Sequence, residues 1–235
     1  AIPVLASYCD ALGIRSFAEG KDLATDLAET CPAPLAKAGD ALPGTLIYAQ
    51  LDISNEAEWK GLASYLKKTY RRVDGLVNNA GIPFRGRIGE IKREDWDKVF
   101  AINVTGAMLG IQAIAPLMKK GASIVNIGSS AALNAHHTVA YTSSKWALRG
   151  LTHVTATEFG PRGIRTNIVH PGYIETEINR DYFASESGQK LVNILPRKRV
   201  GQPEDLDGLL LLLAADESRF INGAAITADD GMAAF

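Results

Sequence analysis

Short apolar runs alternate with longer amphipathic runs from about residue 45 to the end of the chain. The apolar runs predict strands at 45–51, 75–77, 123–127, 164–169 and 224–227. The amphipathic runs predict helices at 56–70, 94–119, 139–159 and 203–215. Buried strands that alternate with helices are typical of a parallel sheet covered on both faces. We therefore predict an α/β, Rossmann-like, doubly wound sheet in three α/β/α layers, as one domain over 1–235.

Three boundary signals accompany these elements. Ser54 is the predicted N-cap of the helix at 56–70, because its side chain can accept a hydrogen bond from a free backbone N–H of the first turn. Gly121 is predicted to end the long helix at 94–119. The sequence His170-Pro171-Gly172 is predicted to break the strand that precedes it.

Composition limits the class of protein. The chain has 235 residues, 46% of them hydrophobic, and a net charge of -1, which indicates a globular protein without the basic face that nucleic acid requires. Cys9 and Cys31 form no CxxC pair, so we expect reduced thiols in a cytoplasmic protein and no metal site. The longest aliphatic run, Leu209–Leu213, is too short to span a bilayer, and no charged leader precedes an apolar stretch, so we expect no membrane partner.

Polar and turn-forming residues follow several predicted strands at their carboxyl ends. These are Asp52, Asn78–Gly81, Ser129 and Pro171–Gly172. In open parallel sheets, ligands bind beyond these ends, so a ligand site is predicted there. Residues 177–200 are polar and weakly periodic, and we expect them to form a mobile flap over that site.

Tyr141 and Lys145 are four residues apart in a helical run, which places the phenol and the ammonium on one helix face. Ser129 ends an apolar strand twelve residues upstream. A serine hydroxyl delivered from the strand end would complete a compact acid/base group. The combination predicts proton transfer at a carbonyl or an alcohol.

Seven segments occur in a fixed order along the chain. They are LDIS at 51–54, DGLVNNAG at 74–81, INVTG at 102–106, SIVNIGSS at 123–130, YTSSK at 141–145, IRTNIVHPGYIET at 164–176 and RVGQPEDLDGLLLLLAADES at 199–218. Taken together, they resemble the short-chain dehydrogenase/reductase family over roughly residues 45–235.

The resemblance implies a catalytic tetrad of Asn103, Ser129, Tyr141 and Lys145. It also implies hydride transfer between a secondary alcohol and a ketone, with NAD or NADP as cofactor. In the family the serine binds the substrate oxygen, the lysine holds the nicotinamide ribose and the asparagine orders a water. Ser130 is the alternative candidate for this serine. The family places its serine three residues after the strand asparagine, here Asn126, and this spacing favours Ser129. The lysine ammonium, together with an oxidised nicotinamide, is expected to lower the phenol pKa by roughly two to three units.

The resemblance also implies cofactor contacts at the strand ends. Tyr141 and Lys145 are expected to touch the cofactor as well as the substrate. The other expected contacts are Asp52 and Ile53 near the adenine, Asn78, Asn79, Ala80 and Gly81 near the adenosine ribose, and Pro171, Gly172, Ile174 and Thr176 near the nicotinamide.

The amino-terminal part of the chain departs from the family. The expected glycine-rich turn, TGxxxGxG, is absent from the sequence, and the nearest segment is YCDALGIR at 8–15. There only Gly13 and Ile14 fit, while Cys9 and Arg15 stand where glycines are expected. Residues 1–44 are therefore divergent, truncated, or packed as a helix at 15–30 that replaces the usual element. The choice between NAD and NADP stays open.

Two other functions remain open at this point. The first is a binding or regulatory protein that has the fold, binds cofactor poorly and performs no redox turnover. The second is a lyase or isomerase that uses the same tetrad. Among substrates, the segments from 123 to 172 are most similar to hydroxysteroid-type members. The two long helices form subunit contacts in relatives, so a homotetramer or a homodimer is expected.

Overall fold

The computed structural model describes residues 11–14, 51–176 and 179–234, and its strands form one sheet in which every pairing is parallel. In the described part of the sheet, the strands lie in the order β1 (Ala11–Ile14), β2 (Val73–Asn78), β3 (Met118–Ile127), β4 (Arg165–Pro171) and β5 (Ala225–Ala228). Parallel neighbours need long crossover connections, and the helices supply them. The predicted strand at 45–51 and the possible helix at 15–30 lie outside the described residues, apart from Leu51.

The helices are α1 (Glu56–Thr69), α2 (Arg93–Phe100), α3 (Gly106–Ile114), α4 (Val139–Phe159), α5 (Arg180–Ala184), α6 (Glu186–Ile194) and α7 (Asp207–Ala214). The prediction of a helix at 139–159 is confirmed at both ends, and that at 56–70 to within one residue. The segment at 203–215 begins as a 3₁₀ turn, Pro203–Leu206, and continues as α7.

Alternating side chains of the central strands point to opposite faces of the sheet. Leu76, Ile124 and Ile168 pack on the side of α1, α3 and α4. Val77, Val125 and Val169 pack on the other side against Leu206, Leu210 and Leu213 around α7. This two-residue alternation is the period of a strand with both faces buried. The predicted three-layer α/β/α arrangement is therefore confirmed.

A polar chain crosses the interior between the sheet and α4. Asn78 Nδ2 donates to Asn126 Oδ1 at 2.8 Å, and Asn126 Nδ2 donates to Thr152 Oγ1 at 2.9 Å. Thr152 in turn donates to the carbonyl of Leu148 at 2.9 Å. Each of these three side chains thus has a hydrogen-bond partner, which offsets the cost of taking it out of water.

The predicted helix at 94–119 is wrong at its carboxyl end. Helix α3 ends at Ile114, a 3₁₀ turn covers Ala115–Leu117, and β3 begins at Met118. Pro116 accounts for this ending, because it lacks a backbone N–H and its ring clashes with the helix carbonyl four residues earlier. Gly121 lies inside β3 with a φ of 98° and does not end a helix.

Among the described residues, the helical run Arg93–Leu117 is long and apolar enough to cross a membrane by length and composition alone. Half of its most apolar window is buried inside the fold. Leu109, Ile111 and Ile114 lie in the core against the sheet. Burial in the protein core therefore explains the apolar composition of this run.

Two further boundaries differ from prediction. Asn55, not Ser54, caps α1, because its side chain accepts from the backbone N–H of Ala57 at 3.0 Å. Strand β4 continues through His170 and Pro171, since Pro171 still pairs with Ala228. Gly13 and Ile14, in the segment nearest to the absent glycine-rich turn, belong to β1 and pair with β2.

We expect Gly110→Ala to destabilise the protein. A methyl group at this position of α3 would lie 2.7 Å from the Trp59 ring and 3.2 Å from Asn78 Oδ1. Overpacking of this kind costs roughly 1–3 kcal/mol. Urea unfolding measures the change in the free energy of unfolding. The matched control is Gly150→Ala on α4, where nothing lies within 4 Å of the added methyl group. It should stabilise by up to about 1 kcal/mol, and equal effects of the two substitutions would contradict the packing at Gly110.

Candidate active site

Ser129 lies just beyond the carboxyl end of β3 and begins a 3₁₀ turn, Ser130–Ala132. Its Oγ accepts from the backbone N–H of Ala131 at 3.1 Å, and the side chain lies close enough to the Tyr141 phenol to lower the pKa of that phenol. Ser130 is buried within the turn. The geometry thus brings Ser129, rather than its rival Ser130, to the tyrosine.

Tyr141 and Lys145 lie one turn apart on α4, with Lys145 Nζ 5.7 Å from the centre of the Tyr141 ring. Burial raises the pKa of the Tyr141 phenol, and the hydrogen bond from Ser129 offsets only part of this. In the protein alone, desolvation penalises the phenolate more than these neighbours stabilise it. The expected lowering of this pKa by the lysine ammonium together with an oxidised nicotinamide stays a prediction.

Lys145 is almost completely buried, and its Nζ donates to the carbonyl of Ile127 at 2.8 Å. Loss of hydration lowers the pKa of Lys145 to about 8. A Cβ atom at Gly81 would lie 3.5 Å from this ammonium and 3.3 Å from Asn103 Oδ1. The absence of a side chain at residue 81 therefore leaves room for a ligand directly beside the ammonium.

Asn103 occupies a π-helical turn, Ala101–Thr105, between α2 and α3. Its Oδ1 accepts from the N–H of Ile82 at 2.8 Å, and its Nδ2 donates to the Ile82 carbonyl at 3.1 Å. Nδ2 also donates to Ser144 Oγ at 3.0 Å, and Ser144 donates to the Tyr141 carbonyl at 2.7 Å. The Asn103 amide therefore connects the segment after β2 to the helix that carries Tyr141.

His170, at the end of β4, contacts the backbone of Ser129. Its Nδ1 lies 2.9 Å from the Ser129 carbonyl, and its buried Nε2 has no hydrogen-bond partner in the part of the chain that the structure describes. Burial lowers the pKa of His170 to about 4. A histidine at a predicted strand end was the one signal of this contact that the sequence contained. Ser144 was missed as well, although it directly precedes Lys145.

The residues predicted to bind cofactor at the ends of β2 and β4 gather around this group. Asn79 is exposed, and Ala80 packs against the core beside Gly81. Pro171 is buried, and Gly172 approaches the next chain segment so closely that a methyl group there would lie 2.7 Å from Asp229 Cα.

Asp52 and Ile53 lie before α1. The Asp52 carboxylate accepts from the backbone and hydroxyl of Ser54 at 2.9 and 2.7 Å, so it stabilises a turn. The Ile53 side chain is buried in the core, and only its main chain remains to meet a ligand.

Ile174 and Thr176 stand at the base of the predicted flap. The N–H of Glu175 donates to the Gly201 carbonyl, and the N–H of Gly201 donates to the Tyr173 carbonyl, both at 2.8 Å. These bonds join the two ends of the segment. Between them lie α5 and α6, so the segment carries helices where the sequence indicated weak periodicity.

No group of three or more His, Cys, Asp or Glu side chains that could hold a metal ion occurs among residues 11–14, 51–176 and 179–234. His136 and His137 are exposed on the loop before α4.

Comparison with known proteins identifies relatives along most of the chain. A family model described as enoyl-(acyl carrier protein) reductase matches residues 18–233. A 3-alpha-(or 20-beta)-hydroxysteroid dehydrogenase of Mycobacterium tuberculosis is 34% identical over 221 residues, which are 92% of this chain and 76% of that protein. A cyclopentanol dehydrogenase of Comamonas testosteroni is 33% identical over 217 residues, which are 91% of this chain and 85% of that protein. The chain also resembles the solved structure of a blue fluorescent protein from a metagenomic library in complex with NADPH, with a TM-score of 0.83 and 32% sequence identity. The match covers 98% of this chain and 90% of that chain.

The fold and these relatives define an NAD(P)-dependent oxidoreductase. The chain belongs to the short-chain dehydrogenase/reductase family. The family, the enzyme class and the NAD or NADP cofactor predicted from sequence are thereby confirmed. The relatives give no support to a binding protein without redox turnover.

We expect the buried His170 to make stability depend on pH. Its folded pKa of about 4 lies below the unfolded value of about 6.5. Between these pH values the unfolded chain binds a proton that the folded chain does not, so the free energy of unfolding falls as pH falls. The slope is at most about 1.4 kcal/mol per pH unit.

Urea unfolding at pH 7, 6 and 5 measures this slope. His170→Gln should lose the part of this pH dependence that comes from the histidine, whatever the stability of the variant at pH 7. His136→Gln, an exposed control, should keep the wild-type slope. An unchanged slope in His170→Gln would contradict the inferred burial of a neutral imidazole.

Proposed function

We propose that this enzyme interconverts a secondary alcohol and a ketone, with Tyr141 as the general acid and base. The observation that supports this most directly is the Tyr141 phenol, whose pKa Ser129 lowers and which lies on the same helix face as the Lys145 ammonium. A phenol, a hydroxyl donor and a buried cation together suit proton transfer at an oxygen atom whose carbon changes oxidation state.

The bound nicotinamide cofactor supplies the hydride for reduction and accepts it in oxidation, and its positive charge when oxidised favours the phenolate. In reduction, Tyr141 gives its proton to the substrate oxygen as that oxygen gains negative charge. In oxidation, the Tyr141 phenolate takes the hydroxyl proton. Burial raises the phenol pKa, so the side chain is held ready as an acid at neutral pH.

Ser129 and Lys145 have separate parts in this proposal. The Ser129 hydroxyl donates a hydrogen bond to the substrate oxygen and orients it toward Tyr141. The Lys145 ammonium has three N–H donors, and the Ile127 carbonyl is its one acceptor among the described residues. The remaining donors and the room beside Gly81 fit the ribose hydroxyls of the cofactor.

The relatives support a compact, largely apolar substrate. One carries the name of a hydroxysteroid dehydrogenase and the other that of a cyclopentanol dehydrogenase, and both names denote alcohols on saturated rings. We propose that this chain also acts on a cyclic secondary alcohol or its ketone.

We expect Tyr141→Phe to lower kcat by roughly 10²- to 10⁴-fold, because the substitution removes the transferable proton and leaves the ring in place. Steady-state oxidation of cyclopentanol and reduction of cyclopentanone, followed by nicotinamide absorbance, give this number. The unfolding midpoint and the cofactor affinity should stay near wild type.

Tyr65→Phe is the matched control, because this tyrosine lies on α1 and is 45% exposed. It should leave kcat unchanged. Comparable turnover in Tyr141→Phe and wild type would rule out the proposed acid/base role.

Calorimetric titration with NADH and with NADPH tests the cofactor site. We expect micromolar binding of one of them and weaker binding of the other. Gly81→Val should abolish that binding, because its branched side chain would fill the space beside Lys145 Nζ and Asn103 Oδ1. Gly61→Val, on α1 where nothing lies within 4 Å, is the control that should bind as wild type does. Wild-type affinity in Gly81→Val would contradict the placement of the cofactor there.

A further inference from the structure

Arg85 lies on the segment that follows Gly81. Its guanidinium carbon lies 4.9 Å from the centre of the Tyr182 ring, and its side chain is exposed. Among the described residues it forms no ion pair. Glu175 pairs with Arg180, at 3.5 Å.

The backbone joins Gly86, the residue after Arg85, to the start of the helix that carries Tyr141. The carbonyl of Gly86 accepts a hydrogen bond at 3.1 Å from the N–H of Val139. Val139 is the first residue of α4 and precedes Tyr141 by two positions. Arg85 therefore lies on the side of the site that the start of α4 forms.

Aromatic side chains from two other elements complete this side. Tyr182 and Phe183 come from α5, with their ring centres 5.4 Å apart. Tyr173 comes directly after Gly172, and its ring centre lies 6.0 Å from that of Phe183. Burial raises the pKa of the half-buried Tyr173 phenol, and so does Tyr182, while Arg85 lowers this pKa. The Arg85 guanidinium therefore lies within electrostatic range of Tyr173, just beyond the end of β4.

This cluster combines apolar surface with one available positive charge. The rings offer faces for the body of a cyclic ligand. The guanidinium offers a planar fork of N–H donors that matches a carboxylate with two parallel hydrogen bonds. A neutral steroid or cycloalkanol would use the rings and leave the charge without a partner.

We propose that Arg85, together with Tyr173 and Tyr182, recognises a carboxylate on the substrate, and that the enzyme acts on cyclic hydroxy acids or keto acids. This inference rests on the proposed alcohol–ketone chemistry at Tyr141 and adds a specificity group to it. Arg85 acts on substrate choice and takes no part in proton transfer.

Binding without chemistry is the first test. Cyclohexanecarboxylate, a ring acid that the enzyme can neither oxidise nor reduce at an alcohol carbon, is titrated calorimetrically into the protein saturated with its cofactor. Wild type should bind it more tightly than cyclohexanecarboxamide, the neutral counterpart. Arg85→Gln should weaken acid binding by roughly 10- to 100-fold, and Arg85→Lys should restore only part of the loss. Arg87→Gln, an exposed arginine two residues away, should bind the acid as wild type does.

Turnover is the second test. The ratio of kcat/KM for 3-oxocyclohexanecarboxylate to that for cyclohexanone should fall in Arg85→Gln, through a higher KM for the acid. An equal loss on both ketones would overturn the proposal and leave Arg85 as a contact that fastens α5. Equal binding of the acid and the amide by wild type would overturn it as well. If neither ketone is reduced, the alcohol–ketone proposal fails, while the acid titration still decides whether Arg85 binds a carboxylate.

Discussion

The amide of Asn103 pairs with both backbone groups of Ile82 and with Ser144, and the relative positions of β2, α3 and α4 depend on it. The π-helical turn makes this possible, because removing its extra residue would rotate the side chain by about 100° around the helix axis. Three segments far apart in sequence are thus fixed at one buried point. Lys145 on α4 consequently donates to the Ile127 carbonyl at 2.8 Å and lies beside the space at Gly81.

Burial shifts the pKa values of two side chains on α4, Tyr141 and Lys145, in opposite directions. It raises the pKa of the Tyr141 phenol and lowers that of the Lys145 ammonium, so in each case the neutral form gains. A ligand that brings positive charge and excludes water would shift the balance toward the phenolate. Under the proposed mechanism, the direction of proton transfer would thereby be linked to the redox state of the cofactor, since only the oxidised nicotinamide carries that charge.

The sequence was sufficient for features that depend on local pattern. Helix α4 was predicted at both ends, and the sheet followed from the alternation of apolar strands with amphipathic helices. The predicted site residues Ser129, Tyr141 and Lys145 could be grouped because a helix turn and a strand end have fixed geometry. Contacts between distant residues were beyond this reasoning. His170 meets a serine 41 positions away, and Arg85 meets a tyrosine in another element. The effect of burial on Tyr141 likewise depends on side chains that no local pattern identifies.

The pairing of Tyr173 and Glu175 with Gly201 makes the intervening segment a closed loop with its own short helices. Gly188 fixes those helices against each other, because a side chain there would collide with the backbone of Tyr182 and Phe183. Since the loop leaves and rejoins the fold at adjacent points, its sequence and length can change without moving β4 or α7, and longer loops cost little additional closure entropy. Natural variation in substrate range can therefore accumulate in this segment while the acid/base group stays the same.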